Sequence, residues 1–166
     1  MAAPGSAAGI IVMGFNDHHH CLDGWFARQV DGRVGMCYRF TGAEAFFRVT
    51  VAPGARVLRL LAGGPAPLVG PMGVSLCFGG RRIGHLPSAV TTDRYGFVDF
   101  PLGELAPSAT GNDSAREMTF SIRNEAEIRD DGGSPRYESR LFTPDSYLHN
   151  GDHRPMGVTV AAIRVF

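Results

Sequence analysis

Six histidines are the first residues in this 166-residue chain that could do chemistry: His18, His19, His20, His85, His149 and His153. Residues two apart in an extended segment share a face. His18 and His20 would then present two imidazoles together, as two ligands of a metal site do. A full site needs a carboxylate close by and a distant third imidazole. Asp23 can be the carboxylate, with His85 or His149 as the third ligand. A triple His in a polar stretch is more often solvated than ligating.

Nucleophilic chemistry has less support. There is no Gly-x-Ser-x-Gly elbow, and the one cysteine with a local histidine is Cys21, beside His20. Neighbours on a strand point to opposite faces, so that pair could not act together without a kink. Paired carboxylates for glycoside hydrolysis stay open, with Glu44, Glu104, Glu117, Glu125, Glu127, Glu138 and ten Asp available. Glu125 and Glu127 read as the solvated face of a loop. Sugar binding asks for different side chains. Aromatic rings stack on the C–H faces of a pyranose, and Asp, Asn and Arg pair with its hydroxyls. Trp25, Tyr38, Tyr95, Tyr137 and Tyr147 are the aromatic candidates, with Tyr137 and Tyr147 in polar surroundings.

The stretch Leu141–Gly157 (LFTPDSYLHNGDHRPMG) carries the densest local signals. Thr143 suits an N-cap, Pro144 the first helical position, and Asn150-Gly151 a left-handed stop. One helical turn is expected. Asp152 and Arg154 then lie two apart in an extended segment, kept extended by Pro155. They either pin the corner as an ion pair or offer a guanidinium fork to a ligand, and the first is favoured. Gly157 opens the last strand where a side chain would collide.

The elements that must hold these residues are strands. Glycine (22) and proline (11) make up a fifth of the chain, leaving little room for long helices. In Glu44–Val51, Ala45, Phe47, Val49 and Val51 share one face, and Arg48 and Thr50 the other. Met118, Phe120 and Ile122 repeat that alternation, and Val74, Leu76 and Phe78 do so before a Gly79-Gly80 turn. Further short strands are read at residues 10–15, 25–30, 36–41, 56–62, 81–86, 95–100 and 157–166. Residues 124–140 read as a long polar loop. Eight to ten strands without an amphipathic helix predict an all-β fold, an antiparallel β-sandwich or barrel. The last strand is apolar enough to lie inside a sheet. Residues 1–9 read as a leader and 10–166 as one domain.

Sixteen Arg and no Lys balance sixteen acids, so the chain lacks the basic footprint that nucleic acid requires. No apolar run approaches the ~18 residues of a membrane span. The odd set Cys21, Cys37 and Cys77 suggests reduced packing thiols and a cytoplasmic setting. No cofactor motif is found; the glycine-rich run at residues 63–73 lacks the Lys and the following helix of a phosphate loop.

Several of these residues carry a resemblance. Gly24-Trp25-Phe26, Arg39-Phe40-Thr41 with Ala45, Phe142-Thr143-Pro144, and Asp152-x-Arg154-x-x-Gly157 occur in this order over about residues 14–166. The pattern resembles the small jelly-roll β-sandwich domains that accompany glycosyltransferases and methyltransferases of bacterial surface-polysaccharide biosynthesis. It departs at Arg28-Gln29, where those domains often carry an acid, and at Phe40, where they often carry Trp. The resemblance implies a jelly roll and a non-catalytic carbohydrate-binding role. The ligand would be a glycan or a nucleotide-sugar-related molecule, and the partner a glycosyltransferase or another protein. Trp25, Asp152, Arg154, Tyr137 and Tyr147 are the candidate ligand residues. Two alternatives remain: a cupin-like metal-dependent enzyme using His18, His20 and His85, and a structural or oligomerising module.

Overall fold

The computed structural model describes residues 9–63, 72–90, 95–129 and 132–166, the side chains of Met72, residues 87–90 and Tyr147 excepted. The leader reading for residues 1–8 and the glycine-rich run at 64–71 lie outside the described residues. Gly9, which that leader included, is buried, and its carbonyl accepts from Val165 N at 2.7 Å.

The strands are β1 (Ile10–Val12), β2 (Gln29–Asp31), β3 (Met36–Phe40), β4 (Glu44–Val51), β5 (Val57–Gly63) and β6 (Met72–Phe78). They continue with β7 (Arg81–Val90), β8 (Gly96–Pro101), β9 (Arg116–Ile128), β10 (Arg136–Ser139) and β11 (Thr159–Val165). One helical turn, α1 (Asp145–Leu148), precedes β11, and 3-10 turns occupy Asp17–His19 and Gly103–Leu105.

Eleven strands among the described residues form two antiparallel sheets. The first runs β2-β3-β11-β5-β8, with β1 also on β11; the second runs β10-β9-β6-β7, with β4 also on β9. The chain therefore crosses between sheets as β3-β11-β5-β8 over β4-β9-β6-β7, which is the winding of a jelly roll. The apolar β11 sits between β3 and β5, inside its sheet.

Period-two alternation builds the core between the sheets. Phe47, Phe120, Leu76 and Ile122 of the second sheet face Leu58, Leu60, Phe100 and Ile163 of the first, all fully or nearly fully buried. Phe47 and Phe120 stack at 5.9 Å between centroids. The Gly79-Gly80 turn takes positive φ at both residues, as a two-residue hairpin requires.

Two expectations are corrected. Residues 124–140 are not one loop, because strands occupy two parts of the stretch: β9 runs to Ile128, and β10 pairs with it from Arg136↔Ile128 to Ser139↔Glu125. Glu125, Glu127 and Tyr137 lie on the outer face of the sheet, and Asn124 on its inner face is satisfied by protein groups, so polarity did not exclude a strand. In α1, the left-handed position is taken by His149 at φ 48° ahead of Gly151, and Pro144 stands as the N-cap without a side-chain bond.

A buried polar clamp joins the sheets at one end. Asn124 of β9 is fully buried. Its Nδ2 donates to Thr41 Oγ1 at 2.8 Å and Gly42 O at 2.7 Å, and its Oδ1 accepts from Val158 N at 3.0 Å. Thr41 Oγ1 donates to Val158 O at 2.9 Å, and Gly157 N to Thr41 O at 2.6 Å. A Cβ on Gly157 would lie 1.9 Å from Asn124 Nδ2, so the collision expected there is with this amide. Gly157→Ala should therefore lower the unfolding free energy by about 3 kcal/mol or more, because it evicts a buried amide from its partners. Urea denaturation checks this; a loss under about 1 kcal/mol would show that the clamp yields easily.

Candidate functional site

The outer face of the second sheet carries a connected polar cluster drawn from its five strands. Arg123, Glu125 and Glu127 alternate along β9, about 7 Å apart on one side. Glu44 of β4 pairs with Arg123 at 3.1 Å and accepts from Ser121 Oγ at 2.6 Å. Glu125 Oε2 accepts from Ser75 Oγ at 2.8 Å and from Arg82 Nε at 3.1 Å. Tyr137 of β10, opposite Glu127, lies under the Arg82 guanidinium at 3.5 Å and meets His85 edge-on at 4.9 Å.

A backbone irregularity assembles this cluster. Arg82 and His85 are three apart and would face opposite ways on a regular strand. The register of β7 shifts so that Arg82 stands opposite Cys77 and His85 opposite Ser75. Cys77 and Ser75 share a face, so the bulge puts both basic side chains on it.

The cluster is layered. Ser75 is fully buried beneath Arg82, Glu125 and His85, while Tyr137, Arg82 and Arg123 are partly exposed above. The single Ser75 hydroxyl proton goes to Glu125, so His85 Nδ1, 2.8 Å from Ser75 Oγ, is the donor of that contact. His85 Nε2 is then a bare acceptor, buried without a partner among the described residues. A serine nucleophile needs an accessible Oγ and a carboxylate orienting the imidazole. Here the hydroxyl is inaccessible and the carboxylate holds the serine, so the trio is a scaffold.

The residues expected from sequence fall in separate places. Tyr137 joins this face. Tyr38 and Tyr95 meet on the first sheet at 6.2 Å between ring centroids, and burial pushes the Tyr95 hydroxyl to about 12. The Trp25 indole donates to Phe46 O at 2.6 Å and strapping contacts hold its segment across β4. Gly24 makes this possible, since a Cβ there would lie 1.9 Å from Glu44 O. Arg39 Nε binds buried Asp17 at 2.6 Å. Arg154 grips Asp152 with two bonds of 2.8 and 2.6 Å and stands 5.3 Å over the Phe26 ring. That guanidinium holds the Asp152 carboxyl at about 2. The backbone of Tyr147 lies in α1.

The metal set does not assemble. Asp17–His19 is a 3-10 turn, so His18 and His20 lack the shared strand face. His20 Nδ1 contacts Arg48 O at 2.9 Å, the His18 and His19 rings meet tilted with centroids 3.8 Å apart, and His85 of β7 is engaged with Ser75. No group of three or more metal-binding side chains converges among the described residues. Burial pushes the Cys21 thiol to about 12, which withholds a thiolate at neutral pH. All three cysteines are free thiols. No helix among the described residues is long and apolar enough to cross a membrane.

Comparison with known proteins returns little. No protein-family model and no curated protein matches the chain. Among solved structures it is similar to an acetyl xylan esterase, Est2A, from the rumen bacterium Butyrivibrio proteoclasticus, with a TM-score of 0.38 and 13% identity. The match covers 97% of this chain and 30% of that one, so the chain spans under a third of the esterase's length.

Burial pushes the His85 pKa below its ordinary 6.5, against the pull of Glu127 and Glu125. A depressed folded-state value means stability that is present above about 6.5 and is lost as pH falls through the folded value. The His85 ring protons should titrate below 6.5 by NMR, and unfolding free energy should drop between about pH 7 and pH 5. His85→Gln should flatten that part of the drop. A midpoint at or above 6.5 would contradict the assignment.

Proposed function

We propose that this chain is a non-catalytic carbohydrate-binding module, and that the outer face of the second sheet is its glycan surface. One observation carries the reading: a polar sheet face where Tyr137 stands beside fixed carboxylates and guanidiniums from three other strands. A pyranose offers C–H faces to an aromatic ring and hydroxyls that both donate and accept. Donors and acceptors already held in place lose little freedom on binding. The buried Ser75 and the carboxylate bound to it speak for binding over turnover.

The resemblance to domains of surface-polysaccharide biosynthesis supports a role beside a glycosyltransferase or methyltransferase, in the cytoplasm where free thiols persist. Such an enzyme would meet the opposite sheet. There Val12, Ala162, Leu61 and Phe97 lie in register across β1, β11, β5 and β8, with Val12 and Phe97 exposed. An apolar row of this kind fits a protein surface better than a sugar.

A glycan array followed by ligand-detected NMR tests the module. Wild type should bind one glycan class, and Tyr137→Ala should weaken that binding by about tenfold or more. Arg154→Ala should change it by less than about twofold, since its guanidinium is committed to Asp152. Loss in Arg154→Ala with Tyr137→Ala intact would move the site to the corner before β11. No binding to any glycan by folded protein would defeat the reading.

A further inference from the structure

The charges on the second-sheet face are already matched. Arg82 is paired with Glu125, Arg123 with Glu44 at 3.1 Å, and Arg129 with Glu127 at 2.7 Å. Three guanidiniums and three carboxylates sum to zero. Recognition of a carboxylate or sulfate uses a guanidinium fork free to turn to it. To bind here, an anion would have to displace a resident carboxylate and leave it half-buried without its partner, next to a second negative charge.

Hydroxyl groups meet no such obstacle. Glu125 takes its hydrogen bonds on Oε2, Glu44 on Oε1 and Glu127 on Oε1. The other oxygen of each carboxylate accepts no hydrogen bond among the described residues. These three acceptors stand in a face whose guanidiniums still carry unused N–H groups.

We infer that this face selects uncharged, hydroxyl-rich glycans and rejects uronates and other anionic sugars. This deepens the proposed glycan-binding role and rests on it. The test compares neutral gluco-, xylo- and manno-oligosaccharides with oligogalacturonate of the same length, by calorimetry at about 20 and about 500 mM NaCl. The best neutral probe should bind about tenfold or more tighter than galacturonate, and its affinity should change by less than about twofold with salt. Glu127→Gln releases Arg129 and should raise galacturonate affinity about threefold or more at low salt. Tighter galacturonate binding in wild type, weakened by salt, would overturn the selectivity while leaving a sugar-binding face. Galacturonate affinity unchanged in Glu127→Gln would also overturn it. Binding of no probe by folded protein would fail the glycan reading itself.

Discussion

Asn124 is the residue on which the two sheets agree. Its amide spends both N–H groups and its oxygen on two segments that are far from β9 and from each other in sequence: the β3–β4 crossing at Thr41-Gly42, and Val158 just before β11. Hydrophobic contact alone holds two sheets face to face but tolerates sliding, because it is non-directional. A fully satisfied buried amide is directional, and leaving any of its groups unpaired is costly. The clamp therefore fixes the end of the sandwich at which β9 passes from its pairing with β4 to its pairing with β10. Asn124 shows the hand-over within one residue: its N–H donates to Ala43 O, and its carbonyl accepts from Arg140 N.

What that fixed end positions is the outer face of β9. From Asn124 onward the strand carries Glu125 and Glu127 beside β10, while Arg123 stays beside β4. Glu125 is nearly buried, yet it remains a sound acceptor because Ser75 and Arg82 both donate to it. Arg82 in turn is held from the other side by the Tyr137 ring. Arg82 and Glu125 are thus each restrained twice, by the partner of opposite sign and by a second neighbour, Tyr137 or Ser75. Such restraint suits a surface that must recognise without rearranging.

The alternation of β4 was legible because one face is buried and the other is wet; in β6 and the first half of β9 it was legible because small side chains alternate with large apolar ones, although Ser75, Cys77 and Ser121 are buried as well. The single helical turn and the Gly79-Gly80 hairpin were legible from turn chemistry. The resemblance motifs pointed to real constraints: Gly24 presses on the β4 backbone, Thr41 and Gly157 belong to the clamp, and Arg39 satisfies Asp17. Of the candidate site, Tyr137 was legible as an aromatic in polar surroundings, but most of its partners were not. Arg82 and His85 share a face only through a bulge, whose one local mark is Gly84 inside the strand. β10 is short and polar, so nothing in its composition separated it from the loop around it. Asn124 ended an apolar alternation and read as the start of the polar loop, when its side chain is fully buried with all three hydrogen bonds made inside the protein.

The same logic explains why the proposed binding face is set apart from the chain's most ligand-like cation. Arg154 is exposed and close to Phe26, which on paper suits a sugar or an anion. Yet Asp152 fills both arms of its fork, and the corner around it is tied by Asp145 N to Asp152 O at 2.8 Å and by Gly151 N to the Asp145 carboxylate. Those bonds shape the return between α1 and β11, so the guanidinium is occupied in holding a turn. On β9 the pairing is of another kind: the carboxylates are filled on one oxygen only, and the ladder beneath them is held by sheet hydrogen bonds that need no help from side chains. Polar groups that are restrained but not saturated are what a surface needs to recognise hydroxyls. That difference in saturation, and not exposure or charge, separates the scaffold corner from the proposed binding face.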